Sequence, residues 1–298
     1  MKHNYLNNKD ILKEIHKSKN TYCWYDVPTS ADYDIIITGN ANGTISKKDV
    51  LQGRKNRAER LAKLAHEAAT ADGTKHKLEE FEIKHTKIPV EDVVFRVMTW
   101  AHIPIDDAKT RKAQLAEEEN PTETEYDEDG AELTKSQTKY VKVNFPPFQH
   151  WKITLDTNEE HTYTVIGISH WRGDLATGAY SRDHGIMTNK LALMFMKLCE
   201  RYATRSNWRG YTYNDEMRSQ ALLQLSQIGL QFDESKSQNP FAYYTAAITN
   251  SFTRVLNIEK RNQNLRDDIL EMNNLNPSYT RQNQNSGSSW GSGGAIDE

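Results

Sequence analysis

Between Asn239 and Val255 the order of residue types leaves the chain few options. Asn239 followed by Pro240 is a helix start, with an amide side chain to cap the first free N–H groups and a ring already fixed at a helical φ. Behind it, Phe241, Tyr244, Ile248, Phe252 and Val255 recur at three- and four-residue spacing, which makes one apolar face. The opposite face carries Asn250, Ser251, Thr253, Arg254 and Asn257, with Lys260 and Arg261 beyond. A helix of this kind must bury one side and present the other.

Two more helices precede it. Residues Asn189 to Thr204 place Leu191, Met194, Phe195, Leu198 and Tyr202 on one side. After the connector SNWRGYTYND, residues Asp215 to Leu230 place Met217, Ala221, Leu225 and Ile228 inward. Gln220, Gln224, Gln227 and Gln231 form an outer stripe of amides, which suits either solvent or a docked protein, since amides bond both polarities.

Upstream the pattern changes. A short helix over Asn7 to Lys17, capped by Asn7 or Asn8, puts Ile11, Leu12 and Ile15 on one face. TYCWYD, YDIIIT and VEDVVFRVMTW read as strands, and Lys47 to Ala71 as a helix. VKVNFPPF, HWKITLD and TYTVIGIS read as further strands with turn residues between them. The expected fold class is α+β: an all-helical bundle in the C-terminal half and a smaller mixed α/β or mostly β module. The expected divisions are a docking helix over 1–18, an accessory module over 19–185 with an acidic loop at 117–132, a helical domain over 186–275, and a disordered tail over 276–298.

Composition narrows the function classes. The net charge is −3, so nucleic-acid binding would need a local basic patch or a partner's charge. Cys23 and Cys199 form no CxxC pair, which argues against a zinc knuckle or a disulfide framework. No apolar run approaches the length of a membrane span. His150, His161, His170, Asp174, Asp183 and His184 show no HExxH-like spacing, and no catalytic residue, metal or cofactor is expected. On the helix after Pro240, Asn and Arg suit base edges and Lys, Ser and Thr suit phosphates, while nearby aromatics suit unstacked bases. Residue types alone fit equally a core helix with an ordinary polar back.

The ordered set decides between them. The stretch EMRSQALLQLSQIGLQFDESKSQNPFAYYTAAITNSFTRVL resembles conserved region two of bacterial sigma factors: a helix opening on an acidic residue, a Phe232-Asp233 turn, a polar loop, and an aromatic-rich helix. It is more similar still to the late sigma factors of T-even-like phages. These share a YxNNK motif (Tyr5, Asn7, Asn8, Lys9), a GYT connector (Gly210, Tyr211, Thr212) and NPxAYxT (Asn239, Pro240, Ala242, Tyr243, Thr245). The segments around YCWYD, VKVNFPPF and HWRGDL resemble the longer cyanophage members.

The resemblance implies a transcription-initiation factor that directs a host bacterial RNA polymerase core to late promoters and helps to melt an A/T-rich minus-ten-type element. Glu216, Gln220, Gln224 and Gln227 would bind the clamp helices of the largest polymerase subunit. Tyr244 would hold a flipped adenine. Tyr243, Thr245, Asn250, Ser251, Thr253, Arg254, Asn257, Lys260 and Arg261 would complete the promoter DNA contacts. Trp290 and Ile296 of the tail would reach a phage sliding clamp, with a co-activator as a further partner. The free protein would be a monomer in the cytoplasm of the infected bacterium. Ala247 and Ile248 stand where primary sigma factors have a DNA-wedging tryptophan pair. The alternative is a DNA-binding or virion-associated phage protein without a polymerase partner.

Overall fold

A computed structural model describes residues 7–38, 45–71, 76–107, 140–155 and 161–288. The acidic stretch 117–132, Tyr5, Trp290 and Ile296 lie outside them. The chain is α+β and divides into two compact units. Met1–Ala192 with Ile228–Pro240 makes the first, and Leu193–Gln227 with Phe241–Glu298 the second.

The first unit is built on a five-stranded sheet of order β1-β5-β4-β3-β2. The strands are β1 (Cys23–Tyr25), β2 (Ile35–Ile37), β3 (Phe95–Met98), β4 (Phe148–Leu155) and β5 (His161–Ser169). All neighbours are antiparallel except β2 and β3. A bulge at His150/Trp151 shifts the β4–β5 register. Two short strands, β6 (Trp171–Arg172) and β7 (Ala179–Tyr180), form a separate ribbon.

One hydrophobic cluster joins the sheet to helix α2 (Lys47–Thr70). Ile37, Val93, Phe95, Val97 and Ile153 from the sheet region meet Ala58 of the helix and Ile88. Each such buried Ile or Phe contributes about 1.5–3 kcal/mol of transfer free energy. Ser46 and Asp49 form a capping box at the start of α2, the Ser46 hydroxyl accepting from Asp49 N–H and the Asp49 carboxylate from Ser46 N–H. Gly53 lets the helix approach closely, for a Cβ there would sit 2.7 Å from a Val93 methyl.

The strand side chains that alternate with this cluster make a different core. Arg96 is 2% exposed, and its guanidinium carbon lies 3.8 Å from the Tyr33 ring centre and 3.9 Å from that of Phe148. Helix α1 (Asn8–Asn20), capped by Asn7, buries Ile11 and Ile15 in the same unit.

The second unit is helical: most of α3 (Asn189–Ala203), then α4 (Asn214–Ile228), α5 (Pro240–Met272) and α6 (Tyr279–Ser288). Phe195 packs edge-on against Tyr244 at 4.7 Å, and Phe252 against Tyr202 at 5.2 Å and Trp208 at 5.4 Å. Met217, Ala221 and Leu225 of α4 are fully buried, as the helical spacing predicts.

Three expectations need correction. VKVNFPPF is not a strand before Phe148: Pro146 and Pro147 have no N–H to donate to a ladder, and only an isolated bridge forms nearby, from Ile105 to Tyr140. The tail does not begin its irregular course at 276, because Tyr279–Ser288 is helical. The Asp267 carboxylate accepts from both the backbone N–H and the hydroxyl of Ser278, and Arg281 pairs with Asp268 and Glu271. Nor is 186–275 one block: Ile228–Pro240, with the Phe232-Asp233 turn, groups with the sheet-bearing unit.

Candidate nucleic-acid interface

Helix α5 sorts its residues by face. Tyr244, Ile248, Phe252 and Val255 point into the core, at 0–6% exposure. An open groove runs along the other side, lined by Asn250, Thr253, Arg254, Asn257, Ile258 and Arg261. These residues stand three and four apart, so they share one stripe. Five of the six were singled out from the sequence for DNA contact. Ile258, 48% exposed, was missed, although its position four after Arg254 places it there.

Tyr243 is half-buried and stands seven residues before Asn250, two helical turns along the same stripe. The stripe thus has an aromatic ring at its head, amides in the middle and guanidinium groups further along. That sequence of chemistry suits stacking on a base, hydrogen bonding to base edges and contact with phosphate. Lys260 is exposed to one side of the stripe.

Three of the expected DNA contacts are placed elsewhere. Tyr244 has none of its surface exposed and lies against Phe195, so its ring has no face for a flipped base in this conformation. The helical spacing that makes Tyr244 part of the apolar face wins over the role implied by the resemblance. Ser251 is 6% exposed, one turn before Val255 on the buried side. Thr245 lies two residues from Tyr243, hence across the helix from the groove, and its hydroxyl oxygen is buried.

On α4, Glu216, Gln220 and Gln227 are exposed and Gln224 half-buried. Gln220 reaches back to Glu216, Nε2 to Oε1 3.4 Å. Leu223, missed from the sequence, is 54% exposed, three residues from Gln220 and four from Gln227. The face is therefore a row of amides with an aliphatic side chain in it, the mixture that protein interfaces favour.

The Phe232-Asp233 turn between α4 and α5 is held by a buried polar network. Lys19, 1% exposed, donates to the Phe232 carbonyl at 2.7 Å and to both Glu234 carboxylate oxygens at 2.8 and 2.7 Å. His16 Nε2 lies 3.3 Å from Glu234 Oε1. Burial works to raise the Glu234 carboxyl, but the Lys19 ammonium, the His16 hydrogen bond and Arg96 outweigh it and hold it well below the usual range. Asp233 closes the turn itself, accepting from Ser235 N–H at 2.9 Å. The turn itself is legible in the sequence, but the Lys19–Glu234 pairing has no local signature, because the two residues are 215 apart.

The same unit holds a second buried pair. His150 donates from Nδ1 to the Ser30 carbonyl at 2.6 Å, which leaves Nε2 to accept from Arg96 Nε–H at 3.0 Å. This requires a neutral ring, and burial together with Arg96 pushes the His150 pKa well down. His170 is also buried, Asp174 and Asp183 are exposed, and the His161 side chain lies outside the described set. Among the described residues no group of three His, Cys, Asp or Glu side chains is arranged to hold a metal ion, and no helix is long and apolar enough to cross a membrane.

Compared with known proteins, the chain matches no family model, and no curated protein or solved structure is similar to it.

Proposed function

We propose that the chain is a sigma factor that brings a bacterial RNA polymerase core to A/T-rich late promoters, with α5 as its DNA-facing helix and α4 as its polymerase-facing helix. The observation that carries this reading is the groove along α5, where Asn250, Thr253, Arg254, Asn257 and Arg261 share one exposed stripe headed by Tyr243. Two guanidinium groups, two amides and an aromatic ring on one exposed line are the side chains that phosphates, base edges and unstacked bases call for. The order of elements supports the same reading: an exposed amide-and-leucine face on α4, a turn pinned by Lys19, then the basic stripe.

Tyr243 replaces Tyr244 as the base-stacking ring in this account. The chain's net charge of −3 fits a factor that binds DNA only together with a positively charged partner. The proposed partners are the polymerase core and promoter DNA, and the proposed role involves no catalysis by the chain itself. Run-off transcription with bacterial core polymerase on a late-promoter template tests it. Promoter-specific initiation that depends on the chain is the expected result. Salt-sensitive DNA binding by the chain alone, with no binding to core, would favour a DNA-binding protein that has no polymerase partner.

A further inference from the structure

From Ile258 at the edge of the groove onward, α5 carries an apolar stripe that nothing in its own unit covers. Ile258, Leu265, Ile269 and Met272 are 48%, 59%, 51% and 83% exposed. Ile258, Leu265 and Met272 are seven residues apart, with Ile269 four after Leu265, which is the spacing of a coiled-coil seam rather than of scattered surface residues. The seam spans about 21 Å of helix. Its charges are ordered too. Arg261 and Asp268, also seven apart, lie on the same flank of the seam. Asp268 is bound by its own Arg281 through Oδ1, which leaves Oδ2 for another donor, and Arg261 has no ion-pair partner among the described residues.

We infer that this seam is an interface between two copies of the chain, paired antiparallel with Leu265 opposite Leu265. In that register Ile258 faces Met272 of the other copy at both ends. Antiparallel helices bring like flanks together, so Arg261 of each copy lies beside Asp268 of the other, and the two-fold axis makes the pair twice. In a parallel pairing each flank meets the opposite flank of its partner, so Arg261 would face Arg266 and Asp268 would face Asn273, with no cation for Asp268. The positive-then-negative order therefore selects a second copy and the antiparallel sense together. The seam is only two heptads long, so the association belongs with weak, concentration-dependent dimers. Pairing also takes up Arg261, so self-association and use of the α5 groove compete. That corollary rests on the proposed function, whereas the dimer itself does not.

Sedimentation equilibrium of the full chain over the micromolar range, without DNA or polymerase, tests the inference. The wild type is expected to show a monomer–dimer equilibrium. Leu265→Glu sets two carboxylates against each other and is expected to weaken the dimer by roughly tenfold or more. Arg261→Glu and Asp268→Arg are each expected to weaken it, and the double variant to restore it. Leu265 and Arg261 are exposed, so circular dichroism and melting should be unchanged in their variants; Asp268→Arg also loses the Arg281 ion pair, which the same melting curve reads. A wild type that stays monomeric throughout would overturn the inference. So would a dimer indifferent to Leu265→Glu, or charge reversals that fail to rescue each other.

Discussion

The Lys19 ammonium sits 2.7 Å from a carboxylate oxygen of Glu234 and 2.7 Å from the carbonyl of Phe232. A single buried cation from α1 thus fixes both the charge and the backbone of the turn that leads into α5. The side chains are 1% and 10% exposed, so neither charge can turn to water without moving the turn. Removing one partner leaves the other charge buried and unpaired, which costs far more than the pair contributes.

Lys19→Met is accordingly expected to lower stability by about 3–5 kcal/mol, read from the urea midpoint. Glu234→Gln, which keeps a hydrogen-bond acceptor but leaves Lys19 without its counter-charge, is expected to fall in the same range. A shift below about 1 kcal/mol for Lys19→Met would mean that the pair is solvated and does not hold the turn.

Stability should also depend on pH in a defined direction. Burial lowers the pKa of His102 to about 4 and that of His150 well below its ordinary value. Their unfolded value is near 6.5, so below it the unfolded chain binds protons that the folded chain refuses. The contribution of these rings is fully present above pH 6.5 and is lost as pH falls towards 4. Thermal melting from pH 8 to 4.5 is expected to show a falling midpoint below 6.5. A midpoint unchanged over that range would contradict the neutral, buried state assigned to His150.

Gly53 sets helix propensity against packing. Alanine there should gain about 1 kcal/mol in a helix interior, but its Cβ would meet a buried Val93 methyl at 2.7 Å. Overpacking of this kind costs about 1–3 kcal/mol, and Val93 is 0% exposed within the cluster that joins the sheet to α2. Gly53→Ala is therefore expected to destabilise, as a lower urea midpoint.

The two adjacent tyrosines of α5 should separate stability from activity. Tyr244→Ala opens a cavity against Phe195 and is expected to cost about 3–5 kcal/mol, whereas Tyr244→Phe keeps the packing and should leave promoter opening intact. Tyr243→Ala removes a half-buried ring that packs edge-on against Tyr244, and should cost less stability than Tyr244→Ala while reducing promoter opening. The reverse pattern, with Tyr244→Phe inactive and Tyr243→Ala active, would return the stacking role to Tyr244.

What could be read in advance depended on whether the cause was local. The Asn7 cap of α1, the full length of α2 and the Pro240 start of α5 follow from neighbouring residues, and each appears where the sequence puts it. The groove residues Asn250, Arg254 and Asn257 were legible for the same reason, since helical spacing fixes which face they share. VKVNFPPF failed because alternation suggested a strand that two prolines cannot pair. The helix Tyr279–Ser288 failed because its Asn-, Gln- and Ser-rich composition argues against a helix, while Asp267 and the partners of Arg281 lie back along α5. Tyr244 was legible both as core and as a base-stacking ring, and burial decided for the core. The Lys19–Glu234 pair was out of reach, since no local rule joins residues so far apart.

Transcription with purified bacterial core polymerase tests the proposed sigma-factor role most directly. The wild-type chain is compared with an Arg254→Ala, Asn257→Ala variant on an A/T-rich late-promoter template. Promoter-specific transcripts with the wild type, lost in a variant that still binds core, are the predicted result. A wild-type chain that neither binds core nor directs initiation would contradict the account.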